Sequence, residues 1–469
     1  MRPNLLWIVL DTARADALEP YGAAPGSSPT LADLARSGLA VEDVRATAPW
    51  TLPSHVSMFS GALPRGLGLG QAPARTPQSA APVVRAQEGR MLPAVLRRSG
   101  YATTAISTNM WVSPLSGFDV GFDRFVSLDS SRQGRLDGGT RQRVRWALEA
   151  VRGRADDGAA AAASAAAGMI DRSVPRPFFW FVNLLECHSP YLPPRRYAAA
   201  PALERLRAAE DARRFLTLEA IMRACTGNLV VPEEALERMR HLYAGCVRYL
   251  DDWMEALLSR LEDAGLLADT LVVVCSDHGE NLGEGGLLAH ALSLDERLLR
   301  VPLIAAGPGA EAFDGMRSLA ESPARVARAI GLDDHPWQDG GLPAGLPVAQ
   351  FDPLGAGADA AIRDLVSDWG AGASTTARLT TPLTSAVDGR WKLVRRGAGE
   401  ELYDLELDPL EELPRRPEEL LAEAGGSVPR LRAALDHPAV IASATHGSAT
   451  PAPGDLKEIE DRMRLLGYM

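Results

Sequence analysis

Residues 5–11 read LLWIVLD, and residues 270–277 read TLVVVCSD. Each is an apolar run of strand length that ends on an aspartate. A run without alternation predicts a strand covered on both faces, as in the middle of a parallel sheet. Open parallel sheets gather their ligands at the carboxyl ends of the strands. Two such strands would deliver Asp11 and Asp277 to one edge and predict a single site holding both carboxylates. PFFWFVNLLE (177–186) is a third run and ends beside Cys187 and His188. YATTAIST (101–108) and VPLIAAG (301–307) supply two more strands.

Helical periods fill the intervals. SPTLADLARSG (28–38) and RMLPAVLRRSG (90–100) are amphipathic and end on glycine, and 242–265 is long and strongly periodic. Ala-rich 141–170 reads as helical, and Gly-, Pro- and Ala-rich 334–360 as an irregular connection. The alternation predicts an α/β fold with a mostly parallel central sheet flanked by helices. From about 375 the texture changes: LTSAVDGRWKLVRR and EELYDLELDP predict an antiparallel hairpin, and LKEIEDRMRLLGYM a terminal helix. The expected division is a catalytic α/β domain over 1–374 and a small α+β subdomain over 375–469. No internal repeat is visible.

Bulk composition narrows the function. The chain has 469 residues, 46% hydrophobic and 23% charged, which is ordinary globular composition. A formal net charge of −11 and a pI near 5.4 argue against nucleic acid or an anionic membrane as partner. They leave room for a small anionic ester bound in a locally positive site. Cys187, Cys225, Cys246 and Cys275 form no C-x-x-C pair and read as free thiols. The apolar run at the N-terminus is too short for a signal peptide or a membrane span, so the expectation is a cytoplasmic protein. A homo-oligomer is compatible with all of this.

The chemistry gathers around three places. Asp11 ends the first strand, and Asp277 and His278 end the second. Carboxylates with an imidazole suit Mn²⁺, Zn²⁺, Mg²⁺ or Ca²⁺, and one divalent cation is expected. Thr51, in APWTLPSHVSMFSG (48–61), comes just before a helix start predicted at Pro53 and Ser54, with the Ser54 hydroxyl as cap. A bound cation would lower the pKa of the Thr51 hydroxyl and make it a nucleophile. Thr12 is a candidate further ligand. His55, His188 and His290 are candidates to hold the oxygens of a phosphate or sulfate group or to protonate a leaving group. Asn109 is a further polar candidate. Arg14 and Asp16 are expected to form an ion pair under the first loop.

Taken together, these segments resemble the sulfatase-like branch of the alkaline phosphatase superfamily, over about residues 4–415 and again at the tail. NLLWIVLDTARAD, APWTLPSHVSMFSG, WVSPLSGFDVGFDRF, HSPYLPP, SDHGENLGEGG, SLDERLLRVPLI and WKLVRRGAGEELYDLELDP follow in family order, and RLLGYM looks like a family ending. The resemblance implies an alkaline-phosphatase-like fold and a metal-dependent ester hydrolase. It also implies that Lys392 lies near the site mouth as a substrate contact. Selectivity would lie in the segments 127–175 and 195–240.

The departures narrow this further. The family's C-x-P-S-R begins with a Cys or Ser that becomes formylglycine. Thr51 cannot give that aldehyde, because its Cβ carries a methyl group, so no formylglycine is expected. His55 replaces the Arg, and Thr12 stands where a second Asp is usual. Asp277–His278 looks like the Asp–His of phosphonate monoester hydrolases and choline sulfatases. In nucleotide pyrophosphatases and in phosphoethanolamine and phosphoglycerol transferases the nucleophile is a Thr. The resemblance thus implies cleavage of a phosphate or phosphonate ester by Thr51. The alternatives are a sulfate ester hydrolase, a sulfuryl or phosphoryl transferase, and a non-catalytic binding protein on the same fold.

Overall fold

The computed structural model of the chain describes residues 2–69, 80–128, 151–153, 156–170, 174–338, 342–352 and 359–441, together with 144 and 148. Its centre is a seven-stranded sheet. In chain order the strands are β1 (Asn4–Leu10), β2 (Leu39–Ala40), β3 (Ala102–Ser107), β4 (Arg124–Ser127), β5 (Phe178–Leu184) and β6 (Thr270–Cys275). A small ribbon follows, β7 (Asn281–Leu282) with β8 (Leu288–Ala289), before the last sheet strand, β9 (Leu303–Ala306). The spatial order is β2-β9-β6-β1-β5-β3-β4. β1 pairs in parallel with β5 and β6, and every residue of all three is buried. This is the environment in which an unbroken apolar run is stable.

The register sets the site. Val9 stands opposite Cys275 on one side and Asn183 on the other, and the Asp11 N–H donates to Leu184 O at 2.9 Å. Asp11, Asp277 and the segment after Leu184 therefore leave the sheet at one edge.

VPLIAAG is a strand, but β9 runs antiparallel to β6. Between β6 and β9 the chain forms the β7–β8 ribbon and the short helix Glu296–Leu299, with no long helix to carry it back along the sheet. A parallel return requires such a crossover. The chain re-enters from the carboxyl edge, and direction reverses.

Helix α1 (Pro29–Ser37) packs on β9 and on the helix Glu233–Asp263, which starts nine residues before the periodic stretch read from the sequence. Pro232 ahead of it and two glutamates in its first turn favour that start. Its buried Asp251 accepts hydrogen bonds from Thr30 N and Leu31 N, both 3.0 Å, and so caps α1 from outside. The Ala-rich segment forms the helix Ala159–Ile170. Among the described residues, no helix is long and apolar enough to cross a membrane.

A four-stranded antiparallel sheet follows: β10 (Val348–Phe351), β11 (Leu383–Asp388), β12 (Trp391–Arg396) and β13 (Gly399–Asp404). β10 lies inside the stretch read as an irregular connection. Its VAQF is short, but it gains a partner in β11 that local composition does not announce. The sheet has its own apolar cluster, including Val348, Leu393 and Leu402, with Leu431 and Leu435 from the helix Ser427–Leu435. The expected terminal helix and the RLLGYM ending lie outside the described residues.

Candidate active site

Helix α2 (Thr51–Ser60) begins two residues earlier than the Pro-Ser pair suggests. Pro53 still falls in the first turn, where no backbone N–H has an intrahelical partner, so proline is tolerated there. The cap position is Trp50, whose side chain makes no capping bond. Ser54 does not cap either. Its Oγ donates to Asp277 O at 2.7 Å and ties α2 to the end of β6. Thr51 becomes the first helical residue, where uncapped N–H groups and the helix dipole favour an anion.

Thr51 Oγ1 is 3.4 Å from His278 Nε2, and Asn109 Nδ2 reaches it at 3.4 Å. Asn109 Nδ2 also donates to Asp11 Oδ2 at 2.7 Å. Asp11, Asp277 and His278 are all buried, and one ligating atom from each lies within 4.8 Å of the others. Asp11 Oδ1 and Asp277 Oδ2 have no hydrogen-bond partner although both are buried. Two orphaned carboxylate oxygens facing an imidazole are costly without a cation. Burial, and then the Asp11 charge, push Asp277 well above the ordinary carboxylate range. Burial, and then His290, pull His278 well down, toward the neutral ring that binds metal. These residues fit a divalent cation.

Thr12 is held at φ 60°, a left-handed conformation that a β-branched residue adopts at a cost of about 1–3 kcal/mol. The turn aims its N–H at Asp277 Oδ1, 3.2 Å away, and its hydroxyl donates to Asp11 O at 2.7 Å. Tyr243 from the long helix donates to Thr12 O at 2.8 Å and accepts from Arg14 N. Thr12 thus braces the Asp277 carboxylate and the backbone of Asp11. Arg14 pairs with Asp16 and also with Glu284.

The histidines divide. His188, His278 and His290 stand together, with ring centroids 5.0 Å apart for His188–His290 and 4.6 Å for His278–His290. Burial pulls His290 down, but the Glu280 carboxylate outweighs it and the net shift is upward. His55 lies on the inward face of α2 and is fully buried between Phe118 and Phe181. Its Nδ1 donates to Thr51 O at 2.9 Å, and its Nε2 accepts from Asn183 Nδ2 at 3.2 Å. Burial lowers its pKa. With both nitrogens engaged, His55 supports the backbone of Thr51 instead of facing a bound group.

Lys392 is not brought to this cluster. It is fully buried on β12, donating to Leu294 O and pairing with Glu296 at 3.0 Å and Glu411 at 2.7 Å. Its charge is spent on joining the C-terminal sheet to the segment after His290, which corrects its reading as a substrate contact.

Asn183 and Glu280 escaped the sequence reading. Asn183 donates to Asp11 Oδ2 at 3.4 Å as well as to His55. Its signal was available: one amide inside a run of apolar residues, at the carboxyl end of a buried strand.

The parallel-centred sheet thus brings two carboxylates and an imidazole to one edge, where α2 adds the Thr51 hydroxyl, a set of groups that could hold a divalent cation. The chain belongs to the sulfatase family, whose model matches residues 3–324. Over 213 residues it is 34% identical to a choline-sulfatase of Rhizobium meliloti, covering 42% of this chain and 38% of that protein. Over 84 residues it is 40% identical to a low-salt glycan biosynthesis sulfotransferase of Haloferax volcanii, covering 16% and 21%. The matches thus span well under half of these curated relatives. A solved phosphonate monoester hydrolase of Agrobacterium radiobacter shares the fold, with a TM-score of 0.60 at 18% identity over 92% of this chain and 93% of that one.

Proposed function

We propose that the protein is a metal-dependent hydrolase that cleaves a phosphate or phosphonate ester through Thr51. The observation carrying this reading is the Thr51 hydroxyl at the start of α2, 3.4 Å from His278 Nε2 and beside the orphaned Asp11 and Asp277 oxygens. Asp11, Asp277, His278 and Thr51 would hold one divalent ion, with Thr12 bracing the set. When bound, that ion supplies positive charge that lowers the hydroxyl pKa and offsets charge on the transferred group.

The Thr51 oxygen, its proton already released to solvent, forms a bond to phosphorus as the ester oxygen departs with its electron pair. Asn109, by its contact with Thr51, orients the hydroxyl. His188 or His290 hydrogen-bonds the transferred group and gives a proton to the leaving alkoxide. Water then attacks phosphorus and returns a proton to that histidine, the bond from phosphorus to Thr51 breaks with its electron pair going to the threonine oxygen, and the group leaves as the acid anion. A threonine is consistent with this cycle because the aldehyde route is closed to it.

The match to a sulfotransferase favours a second reading, sulfuryl or phosphoryl transfer to an acceptor alcohol in place of water. A panel of p-nitrophenyl phosphate, p-nitrophenyl phenylphosphonate and p-nitrophenyl sulfate, with Mn²⁺, Zn²⁺, Mg²⁺ or Ca²⁺ restored and with or without added alcohol, ranks these readings. Thr51→Ala retaining full turnover on every ester cleaved by wild type would refute the nucleophile assignment. Protein that takes up no divalent cation and cleaves no ester would point to a non-catalytic binding role.

A further inference from the structure

Each of the four site histidines commits Nδ1. His55 gives it to Thr51 O, His188 to Ser189 O and His278 to Gly279 O, all main-chain carbonyls within four residues. His290 gives it to a side chain, Glu280 Oε1, at 2.9 Å. Glu280 is fully buried, and among the described residues no lysine or arginine pairs with its carboxylate. Oε2 has no hydrogen-bond partner. The buried Tyr191 hydroxyl lies against this carboxylate, but no cation offsets its charge, and a buried carboxylate without a cation is costly.

What it holds is the most exposed of the three clustered rings. His290 belongs to the loop after β8 rather than to a sheet strand, and its side chain is 11% exposed. With Nδ1 committed to Glu280, Nε2 lies on the opposite edge of the ring. No local carbonyl fixes its aim.

Resting on the reading of Thr51 as nucleophile, we infer that Glu280 is a positioning residue. It accepts the Nδ1 hydrogen of His290 and so holds Nε2 toward the oxygens of the transferred phosphoryl or sulfuryl group.

Inorganic phosphate and inorganic sulfate are the probes, titrated calorimetrically into Mn²⁺-loaded protein, alongside turnover of the p-nitrophenyl esters. Glu280→Leu keeps the volume and removes the acceptor. Glu280→Gln keeps an acceptor oxygen. The expected result is anion affinity about tenfold weaker and turnover about 10–100-fold slower in Glu280→Leu, with Glu280→Gln restoring both to within about threefold of wild type. In a His290→Gln background, neither change at Glu280 has a further effect. Wild-type anion affinity in Glu280→Leu, or failure of Gln to rescue, overturns the inference. So does a Glu280 effect that persists without His290. If Glu280→Leu does not fold, Glu280→Met, which likewise removes the acceptor, takes its place in the same comparison with and without His290. Wild type binding neither anion refutes the reading of the whole site and this inference with it. Equal binding by wild type and Glu280→Leu refutes only the role of Glu280.

Discussion

Replacing Lys392 with methionine separates a structural lysine from a substrate contact. Its ammonium has no exposed surface and lies 3.0 Å from Glu296 Oε1 and 2.7 Å from Glu411 Oε1. Glu296 keeps Arg45 at 2.9 Å after the change, whereas Glu411 loses its cation. Burial opposes ionisation of Glu296, but Arg45 and Lys392 together hold it down to about 2. Glu411 is pushed up to about 7 by burial, even with Lys392 beside it. Removing one partner of a buried pair costs about 3–5 kcal/mol. The unfolding entropy of a chain this size is about 1 kcal/mol/K, so Tm should fall by about 3–5 °C.

The pH dependence has a definite sign. A carboxyl whose folded pKa lies above its unfolded value binds a proton preferentially in the folded state. Stability from such a group declines as pH rises from the unfolded pKa toward the folded one. Without Lys392 the folded pKa of Glu411 rises further, so the gap in Tm between wild type and variant should widen from pH 5 to pH 8. Glu411→Gln added to Lys392→Met should recover part of the loss. Differential scanning fluorimetry across that range reads all three. A Tm within about 1 °C of wild type, with a raised KM for the esters, would refute the burial argument and return Lys392 to the site mouth.

Thr51→Ala is expected to lower ester turnover at least about 10³-fold while metal uptake, read by elemental analysis, persists, and Thr51→Ser should retain part of the activity. Saturating wild type with its divalent ion at about 100 times Kd should stabilise it by about 2.7 kcal/mol, and Asp277→Asn should abolish that thermal shift. Asn183→Leu removes the donor shared by Asp11 and His55 inside the sheet. It should cost about 1–3 kcal/mol by urea denaturation, measured in the metal-free protein so that ion binding does not mask it.

The central strands could be read from the sequence because burial on both faces writes itself as an uninterrupted apolar run, and the acids ending two of them marked the functional edge. Asp11, Thr51, Asp277 and His278 meet there, joined by Asn109, His188 and His290. The features that stayed hidden depend on partners distant in the chain. The direction of β9 depends on the path of the preceding segment, and β10 exists because β11 accepts it. Lys392 and His55 show the same limit for side chains. A lysine in WKLVRR and a histidine one turn after Thr51 look available to a ligand, until Glu411 and Asn183 are found to occupy them.

The antiparallel pairing of β9 with β6 has a consequence for how this site can change. Cys275 stands opposite Leu303, so the segment between them begins and ends on facing residues of one ladder rung, about 5 Å apart. Asp277, His278, Glu280 and His290 all ride on this one excursion. Its length and composition can vary while its two anchors stay fixed, because neither end has to reach a new place in the sheet. Two ties to the rest of the fold, Arg14 to Glu284 and Lys392 to Leu294 O, set where along its length the excursion can change without loosening the site.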